Sequence, residues 1–412
     1  MRAHAVSLRV RMTLATAVIG LAGLFIFVVC AQRAEAKAKA QSKITKGPKG
    51  LAFYKPPKGL PKQHGTLIWA RKALGLVPLA NARYTKLVLY SSRTPQGAKD
   101  AVSGTVSVPK GKAPKGGWPV ITYAHGTTGV ADVCTPSRNS VSNPAQPYIS
   151  YIYPDLNAWL RAGYAVLQTD YQGLGTPGKH PYLVGEAEGR SVLDIVTAAR
   201  QLDTHVGKRF LIAGHSQGGQ SALFAAGEAS NWTPRLRLRG TVAFAPASHI
   251  LDQAALLPAL NQPSPLTALA TLTLNGASTQ SSAINVNALL SDEVLQFYPL
   301  LQSQCLSQLA QSNELGGIPP SHLERSGADP SALNPVLAAM NPLVTTAAPI
   351  LIAQGTADTT VFPNYTDKLN TELVNAGDQV TYKKYPGVNH GGVVTAGEPD
   401  ALAFFQQLLP GR

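Results

Sequence analysis

Short apolar runs alternate along the chain with longer segments in which apolar residues recur every three or four positions. An apolar run bounded by turn residues is typical of a buried strand, whereas the longer spacing is typical of a helix that buries one face. Strands that alternate with helices form a mostly parallel sheet covered on both sides. The pattern therefore predicts an α/β fold with a mostly parallel central sheet.

An antiparallel hairpin is predicted near the start of the folded part. Residues 85–90 and 102–108 are β-rich, and Ser, Pro and Gly residues lie between them. Further strands are predicted at residues 119–124, 164–170, 210–213, 241–245, 349–353 and 379–384, and helices at 149–162 and around 192–202.

A long insert interrupts this alternation. About a hundred residues separate the strand that ends near Ala245 from the one that starts at Pro349, whereas a simple crossover needs about a dozen. The insert, residues 247–345, is rich in Leu and Ala and contains repeated prolines. It is placed at the sheet edge where ligands bind in such folds. We therefore interpret it as a helical cap or lid over a substrate, with a passive decoration of the sheet as the alternative.

The N-terminus has the pattern of a targeting segment. Arginines at positions 2, 9 and 11 precede an apolar run at 13–31, and residues 34–36 form a small-x-small cleavage site. Residues 1–36 are therefore interpreted as the signal peptide of a secreted, extracellular protein. The apolar run is also long enough to span a bilayer, so retention as an anchor in the cell envelope stays open.

The remaining boundaries and the charge follow from composition. Residues 37–64 are rich in Lys, Pro and Gly and are predicted to be a basic irregular tail. Residues 65–246 and 346–412 are predicted to be the two parts of the α/β core. The net charge is +14, but the lysines are scattered rather than arranged in a stripe with interleaved aromatic residues, which argues against nucleic-acid binding.

The cysteine content fits an exported protein. The chain has three cysteines, and Cys30 lies in the targeting segment. The other two, Cys134 and Cys305, form an even pair in an oxidising compartment. We predict a disulfide between them, with two unrelated buried thiols as the alternative. The sequence has no Cys-x-x-Cys or His-x-x-x-His cluster that would suggest a metal site.

The most informative motif joins a predicted strand to a predicted helix. Residues 210–213 run into Gly-His-Ser-Gln-Gly at 214–218, and a helix of small residues follows. A strand, a G-x-S-x-G turn and a helix form the nucleophile elbow of the α/β-hydrolase fold. The turn would place the Ser216 hydroxyl over the carboxyl edge of the sheet, at the positive end of the helix dipole. A Gly-Ser turn without chemistry is the alternative.

A serine nucleophile needs a base, and the base needs an orienting acid. In this fold they follow in the order Ser, Asp or Glu, His. Asp358 comes just after the strand at 349–353 and His390 just after the last strand, so both are placed at the same sheet edge as Ser216. Asp367 is the rival acid, but it lies within a predicted helix. We therefore predict that Ser216, Asp358 and His390 form a catalytic triad.

Attack on an ester carbonyl creates an oxyanion, which needs hydrogen-bond donors. One donor is predicted to be the backbone N–H of Gln217. The other is predicted to come from the loop at 125–129, at Thr127, although a plain glycine turn is the alternative reading of that loop. His215, next to the nucleophile, is predicted to pack rather than to catalyse.

A second glycine motif is interpreted without a ligand. Residues 173–178 match G-x-G-x-x-G after a strand. A dinucleotide site would need a helix that begins directly there, but Pro177 and Pro181 keep the chain irregular until about Glu186. We interpret the segment as a structured loop near the site and expect no cofactor.

Five sequence blocks carry a family resemblance: Gly-Thr-Leu-Ile at 65–68, Ala-His-Gly-Thr-Thr-Gly at 124–129, Asp-Tyr-Gln-Gly-Leu-Gly at 170–175, Tyr-Leu-Val-Gly at 182–185 with Gly189 and Ser191, and the elbow at 214–218. Together they resemble the secretory lipases of the Candida antarctica lipase A type, over roughly residues 60–408. The resemblance implies an α/β-hydrolase fold with a helical cap over an acyl pocket. It also implies hydrolysis of carboxylic esters, including triacylglycerols.

The resemblance extends to individual residues. It implies Ser216, Asp358 and His390 as the triad. A Cys-Pro-Ser-like stretch of the family is matched here at 134–137, which supports the pairing of Cys134 with Cys305. One departure concerns the oxyanion loop, where the lipase carries an acidic residue and this chain has His-Gly-Thr-Thr at 125–128.

These inferences combine into one expectation. The chain is expected to be an exported, monomeric serine ester hydrolase, a lipase or esterase, that acts through an acyl-enzyme on hydrophobic esters such as acylglycerols. It would contact a lipid interface and need neither a cofactor nor a nucleic acid. A serine peptidase of the same fold and a non-catalytic binding protein are the alternatives. Peptidases of that type carry an N-terminal propeller, for which the residues before the first strands leave no room.

Overall fold

The structure, a computed structural model, describes residues 44–411. The segment interpreted as a signal peptide, including Cys30, lies outside the described residues. All but the first two described residues belong to one compact unit that begins at Lys46. None of the helices in residues 44–411 is long and apolar enough to cross a lipid bilayer.

The described strands form one nine-stranded sheet. They are β1 (Leu67–Lys72), β2 (Ala82–Arg93), β3 (Lys99–Pro109), β4 (Trp118–Ala124), β5 (Ala165–Thr169), β6 (Val206–His215), β7 (Arg237–Phe244), β8 (Ile350–Gly355) and β9 (Val380–Tyr385). The spatial order is β1-β2-β3-β5-β4-β6-β7-β8-β9. The first three strands are antiparallel and β3 also pairs antiparallel with β5, whereas all later pairs are parallel. The predicted hairpin and the mostly parallel sheet are confirmed.

Helices cover both faces of this sheet. They are α1 (Gln146–Ser150), α2 (Tyr153–Arg161), α3 (Gly185–Leu202), α4 (Gln217–Trp232), α5 (Ile250–Ala254), α6 (Pro265–Ala277), α7 (Val286–Leu289), α8 (Asp292–Leu295), α9 (Leu306–Leu309), α10 (Asn334–Ala339), α11 (Pro363–Asn375) and α12 (Gly392–Leu408). Short 3₁₀ helices lie at Gly50–Tyr54, Asp132–Cys134, Pro136–Arg138, Leu257–Ala259, Tyr298–Gln302, Leu315–Gly317 and Pro320–His322.

The helices on both faces of the sheet explain why its central strands are mostly apolar. α3 and α4 pack on one face, and α2 and α12 pack on the other around Trp159 and Phe405. Every residue of β4 and β8 is buried, as expected for central strands with helices on both sides. β9 lies at the sheet edge, where exposed Lys383 and Lys384 discourage pairing with another chain.

Two helices replace the single helix predicted over residues 149–162. α1 ends at Ser150, and α2 begins at Tyr153 with Pro154 in its first turn. Proline has no N–H with which to continue a helical hydrogen-bond ladder, and it disfavours a helical residue before it. The helix therefore ends and begins again at this point.

The folded structure begins before residue 65. The 3₁₀ helix at Gly50–Tyr54 buries Phe53 and Tyr54 against the sheet, and Trp69 of β1 donates from Nε1 to the Phe53 carbonyl at 3.0 Å. The overall Lys, Pro and Gly content of residues 37–64 predicted an irregular tail. Two buried aromatic side chains, Phe53 and Tyr54, instead anchor the described part of that segment to the sheet.

The insert between β7 and β8 contains α5 to α10 and has an apolar cluster of its own. Leu272, Leu301 and Leu315 of the insert pack together with Tyr182 and Leu183, which precede α3. A disulfide joins Cys134 to Cys305, with their Cα atoms 5.4 Å apart. Next to it, the backbone N–H of Leu306 donates to the Thr128 carbonyl at 2.9 Å. The insert is therefore tied to the loop that follows β4.

Candidate active site

Ser216 lies at the turn between β6 and α4. Its φ is +60°, in a left-handed region that residues with side chains rarely adopt. The two glycines of the motif permit the turn, because a Cβ on Gly214 would collide with the Gly218 carbonyl and a Cβ on Gly218 would collide with the Ala124 carbonyl. β4, β6 and the start of α4 therefore approach each other too closely for any other residue at these positions.

Three side chains form a hydrogen-bonded chain at this turn. His390 Nε2 lies 2.9 Å from Ser216 Oγ, and His390 Nδ1 lies 2.7 Å from Asp358 Oδ2. Because the carboxylate accepts the proton of Nδ1, the lone pair of the ring is on Nε2 and accepts from the serine hydroxyl. The structure thus brings together the three residues predicted to form a triad.

Asp358 is held in its ionised form. Its Oδ1 accepts the backbone N–H groups of Thr360 at 2.8 Å and Val361 at 2.9 Å, and Gln354 Nε2 donates to Oδ2 at 3.2 Å. Burial alone would raise the pKa of this carboxyl. The hydrogen bond from His390, together with the backbone donors, outweighs burial and holds the pKa of Asp358 below its ordinary value.

The rival acid is engaged elsewhere. Asp367 lies on α11, where it accepts from the Tyr382 hydroxyl at 2.7 Å and pairs with Lys384 Nζ at 2.6 Å. The geometry therefore favours Asp358 as the partner of His390.

The predicted oxyanion donors lie on elements next to the elbow. Gln217 is the first residue of α4, so its backbone N–H has no partner within the helix and lies at the positive end of the helix dipole. Thr127 is buried in the loop after β4, and its hydroxyl shares a hydrogen bond of 2.7 Å with the Tyr182 hydroxyl. Their role as donors to an oxyanion stays a prediction.

His215 has a specific packing environment. Its fully buried ring donates to the backbone carbonyl of His390 and accepts at Nδ1 from the Tyr151 hydroxyl at 2.6 Å. The Tyr123 hydroxyl lies 3.1 Å from that of Tyr151 and extends the chain of hydrogen bonds. Burial lowers the pKa of His215 to about 3. The neutral ring therefore connects Tyr151 to the segment that carries His390.

A cavity of about 360 Å³ opens beside Ser216. Tyr182 and Leu183 line it on the side of the elbow. Most of the remaining wall is aliphatic and comes from the insert, including Leu251, Leu257, Leu269, Leu274, Leu333 and Leu337. A wall of this kind suits an apolar ligand.

The sequence reasoning missed a buried polar cluster beneath the elbow. Its members are at most 1% exposed: His180, Glu188, Gln217, Gln220 and Ser221. One signal was present in the sequence, because Glu188 lies four positions before Val192, on the helix face predicted to be apolar. The glycine-rich loop at 173–178 adjoins this region and is followed by α3 only at Gly185.

Comparisons with known proteins agree with this architecture. A family model described as secretory lipase matches residues 151–307. Candida antarctica lipase A in its closed state superposes with a TM-score of 0.72 at 18% identity, over 86% of this chain and 84% of that one. The rice cell wall degrading esterase LipA from Xanthomonas oryzae gives 0.69 at 18% identity, over 85% of this chain and 100% of that one. A putative hydrolase from Legionella pneumophila gives 0.67 at 19% identity, over 83% and 98%. No curated protein sequence matches the chain.

At 18–19% identity the structural likeness supports the fold alone. The family match is a similarity of sequence over residues 151–307. The resemblance recognised in the sequence blocks is confirmed by both. The chain has the α/β-hydrolase fold of the lipase A type, and its residues 151–307 match the secretory lipase family.

Proposed function

We propose that this chain is an exported serine carboxylic ester hydrolase, a lipase or esterase that acts through an acyl-enzyme. The observation that carries the proposal is the hydrogen-bonded chain from Ser216 through His390 to Asp358. The secretory lipase match supports the same class of reaction. The N-terminal targeting pattern and the disulfide support export.

In the first half of the proposed reaction, Ser216 Oγ attacks the ester carbonyl carbon while its proton passes to His390 Nε2. The carbonyl electrons move to oxygen, and the backbone N–H groups of Gln217 and Thr127 stabilise the oxyanion by about 3 kcal/mol each. Asp358 stabilises the imidazolium. Collapse breaks the bond to the leaving alcohol, which takes the proton from His390 and leaves an acyl group on Ser216.

Water completes the reaction. It attacks the acyl carbon and gives a proton to His390, and the second tetrahedral intermediate forms at the same donors. Collapse releases the carboxylic acid and returns the proton to Ser216 Oγ. The aliphatic cavity beside Ser216 supports the proposal that the substrate has a hydrophobic acyl group, such as that of an acylglycerol. The insert would act as a cap over this cavity.

The experiment is an ester panel with p-nitrophenyl esters of graded chain length, emulsified triacylglycerol and a peptide amide. We expect ester turnover that is lost in Ser216→Ala, and labelling of Ser216 by a fluorophosphonate. Ser303→Ala, which removes an exposed hydroxyl of the insert, is the matched control. Turnover of the amide alone would favour a serine peptidase of this fold. If the folded protein shows no turnover of any substrate and no labelling by the fluorophosphonate, a non-catalytic binding protein is favoured instead.

A further inference from the structure

We propose that Glu188 is a positioning residue for this site. Its buried carboxylate holds the side chain of Gln217, whose backbone N–H is a predicted oxyanion donor, and the backbone of Leu183, which lines the cavity beside Ser216. The inference rests on the proposed ester hydrolysis. Glu188 would act through these neighbours, without touching the substrate.

Three donors from two other elements converge on this carboxylate. The Gln217 side chain donates from Nε2 to Oε1 at 2.7 Å, and the backbone N–H of Leu183 donates to the same oxygen at 2.9 Å. The Ser221 hydroxyl donates to Oε2. Glu188 itself lies on α3 and is fully buried. Because hydrogen bonds to a charged group are stronger than those between neutral groups, this one side chain joins α3, the start of α4 and the segment before α3.

The Gln217 side-chain amide is held by two hydrogen bonds from its nitrogen. The second hydrogen of its amide nitrogen points to His180 Nε2 at 3.0 Å, and His180 Nδ1 donates to the Gln172 carbonyl at 2.8 Å. Burial lowers the pKa of His180 to about 3, so this ring is neutral and its Nε2 is an acceptor. Both amide hydrogens of Gln217 are therefore used, and its side chain holds this first residue of α4 against Glu188 and His180.

Leu183 is held in a strained conformation at the same point. Its φ is +61°, which a leucine adopts only where its surroundings enforce it. Glu188 holds its N–H, and Gln220 Nε2 donates to its carbonyl at 3.1 Å. Leu183 lines the cavity, and the preceding residue, Tyr182, shares its hydroxyl hydrogen bond with Thr127. One carboxylate thus connects both predicted oxyanion donors, Gln217 directly and Thr127 through the adjoining segment.

The alternative is that Glu188 only stabilises the core, and kinetics separate the two roles. Loss of positioning lowers kcat and weakens transition-state analogues, whereas loss of stability alone changes neither in the fraction that is folded. We therefore compare Glu188→Ala with Glu188→Gln, whose side-chain oxygen can still accept from Gln217 and Leu183. Glu186→Gln is the matched control, because Glu186 lies on the same helix and is partly exposed, in an ion pair with Arg190.

The measurements are kcat and KM for a p-nitrophenyl ester, the inhibition constant of a boronic acid that mimics the tetrahedral intermediate, and the melting temperature. Burial raises the pKa of Glu188 to about 7, so the assays are run near pH 8, where the wild-type carboxylate is ionised. We expect Glu188→Ala to lower kcat by about tenfold to a hundredfold and to weaken the boronic acid by a similar factor. KM should stay within about threefold of wild type, and Glu188→Gln should recover most of the loss.

The proposal is overturned if folded Glu188→Ala keeps the wild-type kcat and boronic acid affinity, or if Glu188→Gln is as impaired as Glu188→Ala. If Glu188→Ala does not fold, the Gln217→Ala variant tests the positioning role in its place. That variant keeps the backbone N–H but removes the side chain that Glu188 holds, so it should also lower kcat about tenfold, and a wild-type kcat would refute the proposal. Failure of the wild-type protein to hydrolyse any ester would instead refute the proposed function.

Discussion

His215 donates a hydrogen bond from Nε2 to the backbone carbonyl of His390 at 3.0 Å, across 175 residues of sequence. The two rings also lie against each other, with their centroids 4.7 Å apart. The residue directly before the predicted nucleophile therefore supports the backbone of the predicted base. A misplacement of the base by a fraction of a hydrogen-bond length would be costly to the proposed reaction.

This contact predicts the effect of His215→Ala. Without the donor, the loop that carries His390 loses its brace, and kcat for an ester should fall by about tenfold with little change in KM. The shape of the pH–rate profile should not change, because burial lowers the pKa of His215 to about 3 and the ring does not titrate near neutral pH. Steady-state kinetics across the neutral pH range measure both quantities.

The control for that experiment is His205→Ala. The His205 side chain is 71% exposed and pairs with Asp203, a neighbour in sequence. This variant should match wild type. A folded His215→Ala protein with the wild-type kcat would contradict the bracing role.

Much of this arrangement could be predicted from sequence because it depends on local pattern. The apolar strands, the small residues of the elbow and the position of Asp358 and His390 after strands are all read within short windows. The break of the predicted helix over 149–162 into two helices could also have been predicted, because Pro154 interrupts the segment. The spacing of the apolar residues alone did not indicate this break.

The rest depends on contacts between distant segments. Glu188 meets Gln217 across 29 residues and His215 meets His390 across 175. No short-range pattern specifies which buried polar group will find which partner, because the pairing is set by how α3, α4 and the last loop pack. The spacing of Glu188 indicated its burial, but not what it holds.

The two candidate acids predict opposite results for two similar substitutions. Asp358→Asn removes the charge that fixes the His390 tautomer and stabilises its protonated form, so kcat should fall by about 10⁴-fold. Asp367→Asn only breaks contacts with Tyr382 and Lys384 and should leave kcat near wild type. Ester kinetics of the two variants, with circular dichroism to check folding, measure the difference. If kcat falls by a similar factor in both variants, the assignment of Asp358 as the acid of the triad is wrong.

A buried carboxyl on α2 predicts a pH dependence of stability. Burial, and then the charge of Glu398, raises the pKa of Asp155 from 3.8 to about 7 in the folded chain. Between these values the folded state holds a proton that the unfolded state has released, so this group makes the free energy of unfolding fall as pH rises. Asp155→Asn should therefore be more stable than wild type above pH 7 and lose that advantage towards pH 4.

Urea unfolding at pH values across that range tests the prediction. Asp292→Asn is the control for the loss of a carboxyl at an exposed position, because the Asp292 side chain is 86% exposed and pairs with Arg325 at the surface. A stability difference between Asp155→Asn and wild type that is independent of pH would show that the carboxyl titrates normally.

The Cys134–Cys305 disulfide closes a loop across 171 residues and joins the insert to the loop after β4. Reduction should lower the free energy of unfolding by about 2–5 kcal/mol, because the unfolded chain regains the freedom that the cross-link removes. Urea unfolding with and without reductant measures the change, and thiol titration verifies that the bond is open. The double variant Cys134→Ser, Cys305→Ser should unfold at the lower midpoint and be insensitive to reductant. Equal midpoints for the oxidised and the fully reduced protein would mean that non-covalent contacts alone hold the insert to the core, such as the hydrogen bond from Leu306 to Thr128.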